Sequence, residues 1–369
     1  MQENERLQLV GAAFGREGAL EEYEQIKYGH INRTYRVRFK GVDYLLQCIN
    51  THVFRHPLAV MHNIDVVTEH IRHLDPDASP RTRLHFYHAA DRNNYYIDDE
   101  GGFWRMCNYV ADSVTVETVD DIRVLALAGE AFGGFMRKLS GVDASQLQET
   151  IPDFHNTRKR MQKLFADVEA DPVGRVHEVL PEIQAVRDAY DYGCSLCDMI
   201  DRGEVPLRVT HNDTKTNNVL FDRETMQPLV VVDLDTIMPG LMAYDFGDTI
   251  RFSANTAAED EKDLSKVSMD LERFRVFAEA FIAQTGDMMT DSELHSLLLG
   301  GPIMTLEVGL RFLDDYIEGD TYFAIAYPTH NLDRARCQLA LYADMRRKLP
   351  EMERILHQID AKRRAKGGD

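Results

Sequence analysis

The stretch RVTHNDTKTNNVLFD, residues 208–222, places His211, Asp213, Lys215 and Asn218 beside short apolar runs. Val219–Phe221 reads as a short strand, residues 222–228 as a turn, and Leu229–Val232 as a second strand that ends at Asp233. If the two strands pair as a hairpin, Asn218 at the start of one lies beside Asp233 at the end of the other. An amide oxygen and a carboxylate then face one spot. Oxygen donors of that kind suit Mg²⁺, which keeps several waters and takes further ligands from phosphates. Asp213, five residues before Asn218, is placed to accept a proton from a hydroxyl, and Lys215 to neutralise a moving phosphoryl group.

The order and spacing of these groups match the parts of a phosphoryl-transfer site. A base is followed five residues on by an amide that binds metal, and a second metal-binding acid stands beyond a hairpin. The transferred group spreads negative charge over three oxygens, so cations and an aligned nucleophile supply most of the catalysis. An Asx-rich loop between strands can also be a plain turn. Asp233 at the far end of an apolar strand decides for chemistry.

Elements must hold these groups in place. Tyr35–Phe39 and Tyr44–Ile49 alternate around a turn at Gly41–Asp43, which predicts a hairpin. Val60, Ile64, Val67, Ile71 and Leu74 predict a helix over 58–74, stopped by the proline-bearing segment 75–80. Leu84–Tyr87, Tyr95–Ile97 and Phe103–Tyr109 read as further strands. Helices are predicted over 121–139, 158–169 and 180–200, and helices dominate again from 263, where Leu332, Ala335, Leu339, Tyr342 and Met345 form one stripe. The expected architecture is α+β and bilobal. A small antiparallel β-rich nucleotide-binding lobe spans residues 1–108, and a larger, mainly helical catalytic and substrate-binding lobe spans 109–369.

The 369 residues carry a net charge of −19, which repels nucleic-acid phosphates and anionic lipid. No signal peptide is read in the first thirty residues, and no run reaches the roughly 18 apolar residues of a membrane helix. The most apolar stretch, Leu297–Phe312, is interrupted by Pro302, Glu307 and Arg311. Five cysteines, scattered and odd in number, fit a reducing cytosol, and Cys194 and Cys197 read as core thiols. The histidines at 52, 56, 62, 70 and 73 lack zinc-protease spacing and read as helix surface and loop. The acidic run 259–263 reads as a solvated helix start. There is no dinucleotide fingerprint, no Walker lysine motif and no nucleophile elbow.

His211-x-Asp213 with Asn218, followed by Val232-Asp233-Leu-Asp235, resembles the signature of the aminoglycoside phosphotransferase and choline kinase superfamily, which has a protein-kinase-like fold. Longer strings, LRVTHNDTK at 207–215, DLDTIMPG at 233–240, DFGD at 245–248, DEKDLSK at 260–266, YIEGDTYF at 316–323 and Gly29–Asn32, resemble the N-acetylhexosamine 1-kinases within it. The resemblance runs from about residue 8 to about residue 350. It implies transfer of the γ-phosphate of ATP, with Mg²⁺, to the anomeric hydroxyl of N-acetylglucosamine or N-acetylgalactosamine. Asp213 would be the base, assisted by Lys215, and Asn218 and Asp233 would hold the metal. Gly29, His30, Ile31, Asn32 and Thr34 would form the loop over the phosphates. Cys107, Asn108, Tyr109 and Val110 would be the hinge beside adenine. His30, Thr236, Asp248, Arg311 and Tyr322 are the candidates for the sugar site. Arg311 has an alternative, an internal pair with Glu307.

One departure stands out. Many kinases place a lysine on the strand after the phosphate loop. Gln47 stands there instead, counted among the nucleotide-binding residues without a charge to offer, and Glu69 on the following helix has no evident partner. Either another cation or the metal then does the neutralising, or the site binds nucleotide weakly. The other readings are a kinase on the same frame for an amino alcohol, an aminoglycoside or another sugar, and a catalytically silent nucleotide-binding module. ATP and a small sugar are the expected partners, with no nucleic acid and no membrane, for a monomer in the cytoplasm.

Overall fold

The computed structural model describes residues 2–26, 31–116 and 121–366. The chain divides into two compact units: Met1–Thr115 with Lys138–Pro152 and Val219–Pro239, and Val116–Arg137 with Asp153–Asn218 and Gly240–Asp369. The fold is mixed α+β, antiparallel strands toward the N-terminus and mostly helices after them.

The first unit opens with α1 (Glu3–Ala13), β1 (Leu20–Ile26), β2 (Arg33–Phe39), β3 (Val42–Ile49), α2 (Pro57–Leu74), β4 (Tyr96–Ile97), β5 (Phe103–Asn108) and β6 (Ser113–Val114). Strands β1 to β5 make one antiparallel sheet in the order β1-β2-β3-β5-β4. The predicted hairpin is β2–β3. Its turn centres on Lys40 and Gly41, both at positive φ (49° and 72°), the twist that matches a two-residue hairpin loop. Side chains alternate across the sheet. Tyr35, Val37, Leu46, Trp104 and Met106 face one way and pack with Leu7 and Val10 of α1 and with Phe14 just after it. Thr34, Gln47 and Arg105 occupy the alternate positions, in register as Thr34–Gln47 and Gln47–Arg105.

Three expectations change in this unit. Strand β1 and helix α1 precede the phosphate-loop candidate, so β2 is the second strand rather than the first. Residues 84–87 form no strand, only a bridge between Phe86 and Cys107. Backbone bonds Tyr87 N–Met106 O and Asn108 N–His85 O flank that bridge, and the Asn108 side chain continues the contact, donating to the carbonyls of Pro80 and Arg83 (2.7 and 3.1 Å) and accepting from the His85 amide at 2.7 Å. The apolar stripe of α2 is buried at Val60, Ile64 and Val67, but Leu74 is 56% exposed.

The chain continues through α3 (Ile122–Leu139), α4 (Thr157–Ala170), α5 (Leu180–Asp188), α6 (Tyr190–Gly193), α7 (Ser195–Asp201), β7 (Arg208–Thr210), β8 (Val219–Asp222), β9 (Pro228–Val231), β10 (Met238–Gly240), α8 (Met242–Ser253), α9 (Leu271–Thr285), α10 (Asp291–Ile317), α11 (His330–Arg347) and α12 (Leu349–Lys366). The single helix expected over 180–200 is three pieces. Ala189 and Cys194, with ψ of −2° and −7°, stand at the two joints. Hairpin β8–β9 forms as predicted, Val219 pairing with Val231, and belongs to the first unit with β6.

Helix α10 is the centre of the second unit. By length and composition alone it could cross a membrane, and 89% of its apolar window is buried inside the protein. It runs on through Pro302, which removes a backbone donor without ending the helix. Its Leu306, Leu310, Leu313 and Ile317 pack against Met161 and Leu164 of α4 and the stripe Leu332, Ala335 and Leu339 of α11. Against α8 the backbones nearly touch. A Cβ on Gly247 would collide with the Gly300 carbonyl, and one on Gly300 would collide with the Ala243 oxygen. That contact fixes α8, which carries Asp245, Asp248 and Arg251.

Candidate active site

In the second unit, β7 delivers the chain into a loop that α8 grips from behind. Both carboxylate oxygens of Asp245 accept backbone N–H groups, from His211 at 2.9 Å and Asn212 at 2.7 Å. The Thr214 hydroxyl donates to the Asp245 carbonyl at 2.5 Å, and the Thr249 hydroxyl donates to the Thr214 carbonyl at 2.7 Å. Asn212 takes a left-handed φ of 65°, which asparagine tolerates better than most side chains. The buried His211 ring meets Phe132 and Phe135 edge-on. Asp245 lies deep enough that burial pushes its pKa up, His211 and the two amides opposing.

The loop presents Asp213, Lys215 and Asn218 together. Lys215 Nζ stands 3.5 Å from Asp213 Oδ1. The Asn218 side-chain nitrogen donates to the Asp213 carbonyl at 2.8 Å and lies 3.3 Å from Oδ2. With the nitrogen engaged, the amide oxygen of Asn218 accepts no hydrogen bond among the described residues. A neutral oxygen held this way is a donor for a hard cation. Burial alone would raise the Asp213 pKa, but Lys215, His211 and Arg251 outweigh it and hold the carboxyl below its usual value. Lys215 is raised in turn, chiefly by Asp213.

Arg251 lies under this loop. It donates to Asp248 Oδ1 at 2.9 Å and to Glu259 Oε1 at 2.8 Å. Asp248 is therefore a buried, partly neutralised carboxylate. The run 259–263 starts no α-helix: Asp263 caps a single 3-10 turn, Leu264–Lys266, and Glu259 serves instead as a counter-ion to Arg251.

A second buried network touches the loop from the α10 side. Glu307 Oε1 accepts from His155 Nδ1 at 2.8 Å, and Oε2 accepts from the Thr157 hydroxyl at 2.7 Å. His155 Nε2 lies 3.2 Å from the Asn212 carbonyl. Glu307 is thus committed to His155, and the alternative of a Glu307–Arg311 pair is excluded. Arg311 instead sits over the rings of Phe154 and Phe323, at 5.3 and 5.5 Å. Arg160 covers the Phe154 ring as well, at 5.7 Å. Burial, followed by the like charge of Arg311, lowers the Arg160 pKa to about 10. Tyr322 is 56% exposed, its backbone N–H donating to Asp315.

The first unit holds the remaining candidates. Asp233, just beyond β9, has a left-handed φ of 61°. Asp235, two residues on, is buried and ion-paired with Arg105, and accepts from Asn32 Nδ2 at 2.6 Å. Thr236 is buried. Gln47 donates to Thr34 Oγ1 at 3.1 Å and accepts from Arg105 Nε at 2.9 Å. Of the hinge candidates, Cys107 is buried with its thiol pushed up to about 12, Val110 is buried, Asn108 is engaged as described, and Tyr109 is half-buried. Ile31 is 46% exposed, while Gly29 and His30 lie outside the described residues. Glu69 does have a partner, Arg72 one turn along α2.

Sequence reasoning missed Arg105, Arg160, Arg251, His155 and the clamp made by Asp245. Asp245 stood in a motif already singled out, but nothing local says that its carboxylate faces two amides thirty-odd residues back.

Residues 22–275 match the phosphotransferase enzyme family of the aminoglycoside phosphotransferases. The chain belongs to that family. Among solved structures it is similar to an aminoglycoside phosphotransferase from Alicyclobacillus acidocaldarius subsp. acidocaldarius DSM 446, at 13% identity and a TM-score of 0.63 over 95% of this chain and 96% of that one. It is also similar to choline kinase from Cryptosporidium parvum Iowa II, at 14% identity and a TM-score of 0.56 over 94% and 97%. Spectinomycin phosphotransferase, solved with ADP and spectinomycin, matches at 11% identity and a TM-score of 0.55 over 92% and 99%. At these identities the likeness is one of fold. The phosphotransferase thus shares its fold with kinases of small alcohols.

Proposed function

We propose that this phosphotransferase moves the γ-phosphoryl group of ATP to the anomeric O1 of an N-acetylhexosamine, N-acetylglucosamine or N-acetylgalactosamine, giving the sugar 1-phosphate and ADP. The observation that carries phosphoryl transfer is the Asp213–Lys215–Asn218 constellation on a loop pinned by Asp245. Asp213, ionised and partly exposed, takes the proton of the acceptor hydroxyl. Lys215 balances charge as the phosphoryl group arrives. Asn218 and Asp233 would hold Mg²⁺, which would offset charge on the phosphate oxygens. Residues 29–34 serve the phosphates and residues 107–110 the adenine. His30, Thr236, Asp248, Arg311 and Tyr322 serve the sugar.

The choice among acceptors rests on charge. Arg160 and Arg311 flank Phe154, whose neighbour His155 bonds the residue preceding Asp213. Two guanidinium groups repel an acceptor that carries amines, as aminoglycosides, choline and ethanolamine do. They suit a neutral sugar whose acyl carbonyl accepts hydrogen bonds. The test is ADP release over a panel of N-acetylhexosamines, free hexosamines, aminoglycosides and amino alcohols, with the phosphate position read by NMR. Turnover confined to N-acetylhexosamines, with phosphate on O1, is expected, and Asp213→Asn should cut it about 10²- to 10⁴-fold. Preference for a cationic acceptor would overturn the sugar assignment.

A further inference from the structure

The strand position where a kinase keeps its phosphate-gripping lysine holds Gln47, yet the sheet has not lost the charge. Gln47 is directly opposite Arg105 on the neighbouring strand, with Thr34 opposite it on the other side. The three form a row across β2, β3 and β5. Thr34 Oγ1 accepts from the Gln47 amide, whose oxygen accepts from Arg105 Nε at 2.9 Å. Arg105 Nη1 reaches Asp235, and Asn32, at the end of the phosphate-loop candidate, binds the same carboxylate at 2.6 Å. We propose that Arg105 is the phosphate-gripping cation of the nucleotide site, moved one strand across the sheet, with Asp235 as its counter-ion in place of a helix glutamate.

Three observations support the assignment. Arg105 is 2% exposed, and a buried charge is kept only with partners. Its Nη2 makes no hydrogen bond among the described residues, which leaves guanidinium donors open to a ligand oxygen. Glu69, the acid on α2 open to a phosphate-gripping lysine, pairs with Arg72 on its own helix, which leaves Asp235 as the acid of this row. Gln47 then acts at both of its ends. Its oxygen fixes the guanidinium plane, and its nitrogen ties the row to Thr34.

The inference rests on the ATP reading above, and the experiment separates their failures. Affinities for adenosine, ADP and ATP with Mg²⁺ are measured by calorimetry on wild type, Arg105→Lys, Arg105→Gln/Asp235→Asn and Gln47→Lys/Arg105→Gln/Asp235→Asn. The Arg105→Gln/Asp235→Asn protein removes both buried charges together, so neither is stranded. It should bind ATP about 10- to 150-fold more weakly than wild type, as loss of charge-assisted bonds predicts, with adenosine affinity unchanged. Arg105→Lys should fall between the two. Adding Gln47→Lys should restore at least tenfold of the loss, because the cation returns to the adjacent strand. Equal ATP affinity in the Arg105→Gln/Asp235→Asn protein, equal losses for adenosine and ATP, or no recovery with Gln47→Lys would each overturn the assignment. Failure of the wild type to bind any adenine nucleotide would overturn the ATP reading itself, and the inference with it.

Discussion

Lys215 Nζ stands 3.5 Å from Asp213 Oδ1, close enough to set the ionisation of the carboxyl but too far for a hydrogen bond that would consume it. The pKa of Asp213 is depressed against the pull of burial, with Lys215 the largest opposing charge. A depressed carboxyl stays ionised as pH falls through the ordinary aspartate range, and the base is lost only below it. The acid limb of kcat/KM should therefore lie below about pH 4, the unperturbed value. In Lys215→Met, burial acts with less opposition and the limb should move to higher pH. pH–rate profiles of the two proteins check this; superimposable acid limbs would show that Lys215 does not set the base.

Asp245 ties the catalytic-loop candidate to α8. Its two oxygens hold consecutive amides, and Asn in its place can accept only one and turns an N–H toward the other. Asp245→Asn should cost about 1–3 kcal/mol of stability through one buried amide left unsatisfied. It should also lower kcat about 100-fold by displacing Asp213, with nucleotide affinity retained. Chemical denaturation, steady-state kinetics and calorimetry on the same preparation test the three claims together.

Sequence reading reached what is encoded by adjacency. The spacing from Asp213 to Asn218, the hairpin after it and the alternation of Tyr35–Phe39 are local patterns, and the structure contains them. What escaped was decided by distant partners. Arg105 looks like any charged residue in a strand until the β3–β5 register sets it opposite Gln47 and Asp235 arrives from 130 positions away. Glu307 invited pairing with Arg311 one turn along the helix, but His155 on a separate segment competes for it and wins. Residues 84–87 have strand composition, and they pair with β5 over a single bridge before the Asn108 side chain engages the chain next to it. Helix 180–200 has continuous composition, and its breaks at Ala189 and Cys194 leave no residue-type signal.

The Glu307 network predicts a pH-dependent stability. Burial opposes ionisation of Glu307, but His155 above all, then Arg160 and Thr157, depress its pKa. A depressed carboxyl contributes stability that is present above its unfolded value, about 4.3, and lost as pH falls through the folded value. Glu307→Gln should cost about 1–3 kcal/mol at pH 7, because an amide offers one accepting oxygen where the carboxylate meets both His155 and Thr157. The gap between variant and wild type should narrow as pH falls below about 4. Urea unfolding at several pH values measures it, and a gap independent of pH would mean that Glu307 acts through packing alone.

Arg311, proposed for the acceptor site, lies over the rings of Phe154 and Phe323. It is held by two aromatic faces and by no carboxylate among the described residues, so its N–H groups are available to an acceptor oxygen. Arg311→Met keeps the apolar stem against Phe154 and Phe323 and removes only the charge and the donors. Losing a charge-assisted bond costs about 1.5–3 kcal/mol, so KM for an N-acetylhexosamine should rise roughly 10- to 150-fold while the Kd for ATP holds. The same substitution lifts a like charge from Arg160, so the variant should be no less stable than the wild type. An amine-bearing hexosamine, repelled by the native pair of guanidinium groups, should lose less than its acetylated counterpart or even gain. Equal losses for the two sugars would place Arg311 away from the acyl group, and an unchanged KM for both would remove it from the acceptor site.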